Sequence, residues 1–471
     1  MLNSLISLNN LYHSAPSKII FEENNKVISV KIFAEEVASY IEKYQDHNKV
    51  IGILSDNGYR SAAAECGISA TKSVLVSLPK FFSDEQLKEI IKDSNIELIY
   101  SDENNFKRAK SLFNNTSLFL GNTCELKLPK DNQHKRIIYT SGTTGKPKGV
   151  IQTCSQINFI TQQLIDMFNI DESDKYFSLL PQSTLLEQIA AIHCTLLAGS
   201  ITVFKTDISN EIFNLKNNFV DVLFFKRITL LCLTPFLLNR MLQNFEPSML
   251  NAILFKAVTI GGSKTPISLL NEARKYNLPI YEGYGLSECC SVVSVNKFDE
   301  NKIGSVGKPF KDLDVKIINN EIVVKGPTIM QGYQNKPLLN NNQIFTGDVG
   351  YFDEDGYLFI EGRKDEVIAL KNGRNINPTW IEELVLAKTN IKEVYAFNNK
   401  QNEFCLAVNL PDRVSKSTLR VQVDNAVPEY TKPDIIYFLE KDFIQNNAIF
   451  SSSGKVDKQK LKNIINQRRT K

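Results

Sequence analysis

The stretch RIIYTSGTTGKPKGV, from Arg136 to Val150, places two isoleucines directly before a run of small, polar, glycine-broken positions with two lysines. A strand that ends in such a loop is typical of a phosphate cradle, because glycines let backbone N–H groups approach closely and lysine supplies positive charge. The Walker loop does not fit, since only two residues separate Gly142 from Gly145. The dinucleotide pattern G-x-G-x-x-G is also absent from this stretch. The sequence therefore predicts a phosphate-binding loop of another kind.

Strands and helices alternate on the N-terminal side of this loop. Buried strands are predicted at KVIGILS (49–55), SVLVSLP (73–79) and IELIYSD (96–102), with helices between them at 59–72 and 83–95. The second helix begins with a capping-box pattern, Ser83 followed by Gln86 three residues later. Repeated strand–helix–strand units favour parallel sheets with helices on their faces.

The texture changes after about residue 300. The segments DVKIINNEIVVKG (314–326) and GYFDEDGYLFIEGR (350–363) read as short strands with glycine and acidic turns, which favours an antiparallel or barrel-like unit. A lysine-rich α+β region follows Arg363. We therefore predict an α/β fold: a large N-terminal domain of layered α/β subdomains with a small β-barrel-like subdomain, hinged to a small α+β C-terminal domain.

The composition narrows the classes of function. Of 471 residues, 42% are hydrophobic and 23% charged, and the net charge of +3 gives no support for a nucleic-acid partner. The eight cysteines form no C-x-x-C pair and the four histidines no H-x-x-x-H pair, so we expect buried free thiols and no zinc site. No secretory signal is visible, and the most apolar window, residues 222–238, is interrupted by Lys226, Arg227 and Pro235. A cytoplasmic protein without a transmembrane segment is the expectation.

The loop YTSGTTGKPKGV (139–150) resembles the signature of the adenylate-forming (AMP-binding) superfamily, which contains acyl-CoA synthetases, aryl-acid ligases and peptide-synthetase adenylation domains. Five more segments resemble further motifs of that family, in the family's order: GGSKTP (261–266), YEGYGLSE (281–288), FTGDVG (345–350), GRKDEVIALKNGRNINPTWIE (362–382) and SSSGKVDK (451–458). The resemblance implies a large domain over residues 1–362, a hinge at 363–365 and a mobile small domain over 366–471.

The resemblance also implies that ATP and Mg²⁺ bind along these motifs, and that a carboxylate attacks the α-phosphorus of ATP to give an acyl-adenylate and pyrophosphate. The phosphates would be held by Thr140, Ser141, Gly142, Thr143, Thr144, Gly145 and Lys148. The adenine and α-phosphate would be bound by Gly261, Gly262, Ser263, Glu282, Tyr284, Gly285 and Ser287, and the ribose by Asp348 and Arg363. Glu288 would ligate Mg²⁺, and the implied catalytic groups are Lys455, Thr143, Lys148 and Glu288.

Lys455 has the most demanding implied role. The resemblance places it on a C-terminal loop that enters the site and binds the attacking carboxylate and the α-phosphate together. Asp365 takes the hinge position about which the small domain would swing, withdraw the lysine and admit a thiol. That thiol would be the phosphopantetheine of coenzyme A or of a separate carrier protein. Such a two-stage enzyme shields a hydrolysable adenylate from water between the steps.

The segment LLPQSTLLEQIAAIHCTLLAG (179–199) aligns with the part of the family that lines the acid pocket. The predicted pocket residues are Thr184, Leu185, Glu187, Gly262 and Gly285. No aspartate occurs from 182 to 186, which disfavours a free α-amino acid, and Thr184 stands where many ligases carry histidine. Leu185, Leu186 and Ile189 suit an apolar tail, and Glu187 with the hinge pattern resembles the fatty-acyl branch.

We therefore predict an ATP-dependent acid–thiol ligase that activates an apolar acyl acid and transfers it to coenzyme A or a stand-alone carrier protein. One alternative is an aryl-acid or amino-acid adenylating enzyme that loads a carrier protein. Another is a degenerate member that binds nucleotide as a scaffold, against which the intact Lys148, Glu288, Asp348 and Lys455 argue. The chain length of the acid, the acceptor and the oligomeric state stay open.

Overall fold

The structure is a computed structural model that describes residues 1–121, 124–129, 135–141, 147–205, 218–370, 375–399, 401, 403–409, 414–440, 443–447, 449 and 456–468. Its strands, numbered in chain order, are β1 Ile19–Glu23, β2 Lys26–Ser29, β3 Val50–Leu54, β4 Val74–Ser77, β5 Leu98–Ser101, β6 Thr116–Leu118, β7 Lys135–Ser141, β8 Pro147–Thr153, β9 Lys175–Ser178, β10 Ile201–Phe204, β11 Leu230–Leu233, β12 Ala257–Ile260, β13 Ile280–Tyr284, β14 Ser294–Val295, β15 Lys308–Pro309, β16 Asp314–Ile318, β17 Glu321–Lys325, β18 Gly332–Tyr333, β19 Gln343–Phe345, β20 Asp348–Phe352, β21 Leu358–Arg363, β22 Ile368–Ala369, β23 Asn375–Ile376, β24 Val394–Asn398, β25 Phe404–Asn409 and β26 Ile435–Leu439.

The helices are numbered in the same way. They are α1 Asn3–Ser14, α2 Val30–Tyr44, α3 Tyr59–Ser69, α4 Asp84–Asp93, α5 Glu103–Leu112, α6 Cys154–Phe168, α7 Leu185–Gln188, α8 Thr195–Ala198, α9 Asn218–Phe225, α10 Pro235–Asn244, α11 Pro247–Asn251, α12 Ile267–Lys275, α13 Pro378–Lys388, α14 Lys416–Ala426, α15 Phe443–Asn446 and α16 Lys458–Arg468. A π-helical stretch, Ile189–Cys194, joins α7 to α8.

The first sheet contains β7 and β8, the strands that come directly before and after residues 142–146. Its described strands lie in the order β18-β8-β7-β4-β3-β5-β6, with the strands from β7 to β6 parallel. The predicted strands near residues 50, 75 and 98 and the helices between them are confirmed. The Ser83–Gln86 capping box is also confirmed, with both reciprocal hydrogen bonds present.

The second sheet carries the GGSKTP and YGLSE segments. Its described strands lie in the order β15-β14-β13-β12-β11-β9-β10-β1-β2, and the strands from β13 to β1 are parallel. The apolar window 222–238 forms the end of α9, the buried strand β11 and the start of α10. In open α/β sheets, ligands bind beyond the carboxyl ends of the parallel strands. Here the GGSKTP segment follows β12, and the YGLSE segment begins at Tyr284, the last residue of β13.

The region after residue 300 is antiparallel, as predicted. Strands β16, β17 and β19 form one small sheet, and β20 pairs with β21 in a hairpin. Past Arg363, strands β24, β25 and β26 form a separate sheet that packs with α13 and α14 around a core of its own, including Ile381, Leu406 and Leu419. The domain boundaries at 362 and 365 remain our proposal.

The described cysteines are free, and six of the eight are buried, as expected. Cys124 and Cys154 are partly exposed, which corrects the prediction for these two. Cys154 begins α6, and Cys124 lies at the surface, where its thiol donates to Glu42 at 2.8 Å. In the described part of the chain, no helix has both the length and the apolarity to span a bilayer.

Candidate active site

A cavity of about 1830 Å³ lies between the two sheets and the C-terminal region. Its wall combines the hairpin β7–β8, the loops after β12 and β13, the start of α7, the hairpin β20–β21 and, from the C-terminal region, parts of α13, β24 and α16. The motifs that lie far apart in the sequence therefore meet around one space.

The predicted phosphate side is the hairpin formed by β7 and β8. Thr140 pairs with Lys148 across the hairpin, and both residues line the cavity. The Lys148 ammonium lies 5.9 Å from the centroid of the Tyr333 ring. The predicted phosphate ligands Gly142, Thr143, Thr144 and Gly145 lie outside the described residues, and so does the side chain of Ser141.

The predicted adenine side follows β12. Gly261 donates its N–H to the Leu233 carbonyl at 3.2 Å, and Gly262 has a φ of 92°, a backbone conformation that glycine adopts readily. Gly261, Gly262 and Ser263 all line the cavity. Tyr284 ends β13, the strand that pairs with β12, and it also lines the cavity. These residues therefore lie at the ends of two neighbouring strands of the second sheet.

The YGLSE turn is held tightly. A Cβ on Gly285 would lie 1.8 Å from the Ser291 carbonyl oxygen, so only glycine fits there. The buried Gln152 of β8 donates its amide to the Ser287 carbonyl at 2.6 Å. The turn that carries Ser287 and Glu288 is thus fixed to the strand that follows the phosphate loop.

Asp348 joins two of the predicted nucleotide ligands. The Tyr284 hydroxyl donates to one Asp348 oxygen at 2.6 Å, and the Arg363 guanidinium lies 3.3 Å from the other. Burial, and then the Asp348 charge, raise the pKa of Tyr284, so the phenol stays a neutral donor. Arg363 also donates to the exposed Asp365 at 3.1 Å, which links the predicted ribose site to the predicted hinge residue.

Glu282 also belongs to β13 and lines the cavity, and it is buried. It accepts the Gly304 N–H at 3.0 Å. Burial raises its pKa from an ordinary value of 4.5 to about 7, and the Gly304 N–H, Thr265 and Lys264 oppose that rise. A carboxyl in this state can donate as well as accept a hydrogen bond near neutral pH.

Glu288 lines the same cavity as Thr140 and Lys148, and its carboxylate is half-buried. Its Oε1 accepts a hydrogen bond from the Tyr333 hydroxyl at 2.8 Å. Within the described residues no group of three or more His, Cys, Asp or Glu is placed to hold a metal ion. A single carboxylate nevertheless fits Mg²⁺, which keeps several waters and takes its other ligands from substrate phosphates.

Lys455, the predicted catalytic lysine, lies outside the described residues. The next two residues, Val456 and Asp457, line the cavity. Lys458 then begins α16 and forms a 2.7 Å ion pair with the partly buried Glu382 of α13. The chain that follows Lys455 is thus anchored at the cavity wall.

The end of the cavity predicted to bind the acid is largely apolar. Thr184, Leu185 and Leu186 line it at the start of α7, and the Thr184 hydroxyl donates to the Pro181 carbonyl at 2.8 Å. Further residues of the lining have small or apolar side chains: Leu164, Phe168, Ala190, Cys194, Leu230 and Cys232. The lysines and arginines of the described lining belong to the nucleotide side and the domain interface, namely Lys148, Lys264, Arg363, Lys392, Lys458, Lys460 and Lys462.

Glu187 lies behind this wall. The described lining includes its neighbours Leu185 and Leu186, but the Glu187 side chain is fully buried and accepts from the Tyr176 hydroxyl at 2.7 Å. Burial raises its pKa from an ordinary 4.5 to about 8. Glu187 is therefore a protonated core residue at neutral pH. It supports the Tyr176 side of the pocket and does not present a charge to the substrate.

This raised pKa makes stability depend on pH. Between pH 4.5 and about 8 the unfolded chain releases the Glu187 proton while the folded chain keeps it, so this residue's contribution to stability falls as pH rises. We compare the Tm of Glu187→Gln with that of the unaltered protein at pH 5 and at pH 8.5. We expect this Tm difference to shift by about 2–4 °C in favour of the variant at the higher pH. Thermal unfolding at both pH values, with the exposed Glu354→Gln as control, measures this; a constant Tm difference contradicts it.

An ion pair joins the nucleotide wall to the C-terminal region. Lys264, in the loop after β12, lies 3.0 Å from Glu383 of α13, and both side chains are about three quarters buried. A second, longer contact of 4.0 Å joins Glu272 of α12 to Lys392. Sequence reasoning missed Lys264, Glu383 and Tyr333, because their partners are 45 or more residues away in the chain.

Charge reversal tests this pair. We expect Lys264→Glu and Glu383→Lys each to slow the predicted acyl-adenylate formation about 3–5-fold, because each turns an attraction into a repulsion, and the double reversal to restore it within about twofold. Lys275→Glu, an equal charge change at the exposed end of α12, is the control. Failure of the double reversal to recover activity would contradict a role in docking the C-terminal region.

Comparison with known proteins gives the following matches. The family model described as AMP-binding enzyme matches residues 30–334. The 2-succinylbenzoate–CoA ligase of Bacillus licheniformis is 31% identical over 278 residues, which are 55% of this chain and 55% of that protein. The enzyme of the same name from Oceanobacillus iheyensis is 25% identical over 456 residues, 90% of this chain and 92% of that protein. The chain thus spans about half the length of the first relative and nearly all of the second.

Two solved structures share the fold. The o-succinylbenzoate CoA synthetase of Bacillus subtilis, in complex with its acyl-adenylate intermediate, superposes with a TM-score of 0.81 over 98% of both chains at 22% identity. The anthranilate CoA ligase AuaEII, in complex with anthranoyl-AMP, superposes with a TM-score of 0.84 over 99% of this chain and 98% of that one, at 15% identity. The similarity covers both the large domain and the C-terminal region.

Proposed function

Because the chain belongs to the AMP-binding enzyme family, we propose that it is an ATP-dependent ligase that joins a carboxylic acid to a thiol through an acyl-adenylate. One observation carries the proposal. The cavity gathers Thr140 and Lys148 from one sheet, Tyr284 and Glu288 from the other, and Asp348 with its two hydrogen-bond partners, directly beside an apolar pocket. Cationic and hydroxyl groups next to an apolar pocket suit a reaction between a nucleoside triphosphate and an organic acid.

In the first step a carboxylate oxygen forms a bond to the α-phosphorus, and the bond to the bridging oxygen breaks to release pyrophosphate. Both reactants are anions, so the protein must supply positive charge and fixed donors. Lys148 and the hydroxyl of Thr140 would hold the departing phosphates, and Ser287 would contact the α-phosphate. Asp348 would accept from both ribose hydroxyls, since an ionised carboxylate offers two oxygens. When bound to Glu288, Mg²⁺ would neutralise charge on the phosphates.

In the second step the thiol sulfur forms a bond to the acyl carbon, the bond to the AMP oxygen breaks, and the thiol proton is lost. We propose coenzyme A as the acceptor, because the relatives are named as CoA ligases. A carrier protein remains the alternative to be tested beside it. Rotation of the C-terminal region about Asp365 would exchange Lys455 for the thiol between the two steps.

We propose an acid with an apolar body as the substrate class. The lining of the acid end supports it, because the described residues there offer no lysine or arginine to a second carboxylate. The names of the relatives favour 2-succinylbenzoate as the second candidate. That acid carries a further carboxylate, which would need a partner at the polar rim.

The test is pyrophosphate release from ATP with a panel of fatty acids, aryl acids, 2-succinylbenzoate and amino acids, each with coenzyme A and a carrier protein offered in parallel. We expect an apolar acid and coenzyme A to give the highest kcat/KM. Release with 2-succinylbenzoate alone would contradict the apolar class but support the ligase. If no acid supports release while ATP binds, the chain is a nucleotide-binding scaffold.

A further inference from the structure

We propose that Tyr333 is a positioning residue that holds Glu288 and Lys148, the two groups that handle the metal and the terminal phosphates, at one fixed spacing. This inference rests on the proposed function, because it assigns the partners of those two groups from the reaction. Tyr333 lies in a two-residue strand 45 residues beyond Glu288. None of the motifs quoted from the sequence contains it.

The hydroxyl and the ring of Tyr333 contact different groups of the site. Its hydroxyl donates to Glu288 Oε1 at 2.8 Å, a charge-assisted hydrogen bond that fixes the carboxylate and leaves Oε2 able to ligate Mg²⁺. Its ring lies 5.9 Å from the Lys148 ammonium, within the range of a cation–π contact. One rigid aromatic side chain therefore touches both an acidic and a basic group of the site.

The backbone around Tyr333 is fixed to the same two elements. Tyr333 pairs with Val150 of β8, and the Gln334 N–H donates to the Gly149 carbonyl at 2.7 Å. On its other side, the Met330 N–H donates to the Glu288 carbonyl at 2.8 Å. The segment 330–334 thus joins the strand after the phosphate loop to the YGLSE turn.

The close packing of β8 explains why this position is fixed. A Cβ on Gly149 would lie 3.0 Å from the Cβ of Gln334 and 2.9 Å from the ring of Tyr139. The glycine lets β18 approach β8 closely and brings the Tyr333 ring near Lys148. The ring is half-buried at the cavity wall, so a ligand can reach the groups that it holds.

The experiment measures ATP affinity by calorimetry with excess Mg²⁺ and with EDTA. Tyr333→Phe removes only the hydroxyl, so we expect about 5–10-fold weaker binding with Mg²⁺ and no change in EDTA. Tyr333→Leu also removes the ring, so we expect about 3-fold weaker binding in EDTA as well. Tyr351→Phe, which loses an exposed hydroxyl of β20 outside the cavity lining, is the control.

A double-mutant cycle separates positioning from general damage to the fold. Glu288→Gln should reproduce the Mg²⁺-specific loss, and Glu288→Gln with Tyr333→Phe should be no weaker than Glu288→Gln alone, because the hydroxyl acts through the carboxylate. Equal losses with and without Mg²⁺ in Tyr333→Phe, or additive losses in the double variant, would overturn the proposal. A protein that binds no ATP before any substitution would instead refute the proposed function.

Discussion

Replacing Lys455 with alanine is expected to slow acyl-adenylate formation by about a thousand-fold while ATP affinity stays within about threefold. The role follows from the chemistry of the proposed first step. A carboxylate and a triphosphate repel each other, and a cation that touches both in the transition state lowers the barrier more than it strengthens binding of either substrate. The loss should therefore appear in kcat and not in the KM for ATP.

The structure supports this choice of lysine through its neighbours. Val456 and Asp457 line the cavity, and the ion pair of Lys458 with Glu382 holds the start of α16 against α13. Other lysines of the C-terminal region, such as the exposed Lys416, lie away from the cavity lining and give a matched control. Lys416→Ala removes the same charge from the same region and should leave the rate unchanged.

Separate assays of the two half-reactions sharpen the test. Exchange of labelled pyrophosphate into ATP reports the first step, and thioester formation from a synthetic acyl-adenylate reports the second. In Lys455→Ala the exchange should fall and the second reaction should stay within about threefold, because attack of a thiol on the mixed anhydride needs no cation that bridges two anions. Equal losses in both half-reactions would contradict the assignment.

The sequence predicted the elements whose signals are local. Hydrophobic runs bounded by turn residues gave the strands on either side of Ser83, and the Ser83–Gln86 box gave the start of α4. The opening stretch also predicted its own geometry, since the isoleucines of Arg136–Tyr139 form a buried strand that ends at the cavity. These signals need no knowledge of distant contacts.

The rest of the site depends on pairings across the chain. Tyr333 belongs to a two-residue strand that exists only because β8 lies beside it, and no periodicity can mark so short an element. The resemblance of residues 179–199 to the family's acid-pocket segment predicts Glu187 in the pocket, but its side chain is buried behind the lining. A helix turns by about 100° per residue, so a residue next to lining positions can face the core instead.

The acid pocket illustrates the same division. Leu185 and Leu186 predict an apolar pocket, and both residues line the cavity. Its far wall comes from Leu230 and Cys232 of β11, which are 45 or so residues further along the chain and carry no motif. A substrate class can therefore be argued from the local segment, whereas the shape of the pocket requires the fold.

Asp348→Asn is expected to raise the KM for ATP by about a hundredfold or more and to change kcat far less. An ionised Asp348 would accept two ribose hydroxyls, whereas an amide accepts at one atom and presents N–H donors at the other. The substitution also takes the negative partner from Arg363, which lies 3.3 Å away, and from the hydroxyl of Tyr284 at 2.6 Å. Both neighbours would then lose the orientation that the carboxylate gives them.

The choice of nucleotide tells a ribose contact from general damage to the site. The unaltered protein should prefer ATP over 2′-deoxy-ATP by about tenfold, and Asp348→Asn should lose that preference, because one of the two hydroxyls no longer has its acceptor. Asp353→Asn, an equal change in the same hairpin, where the carboxylate pairs with Lys302 outside the cavity lining, should keep it. An Asp348→Asn protein that still discriminates tenfold between the two nucleotides would show that another group reads the ribose.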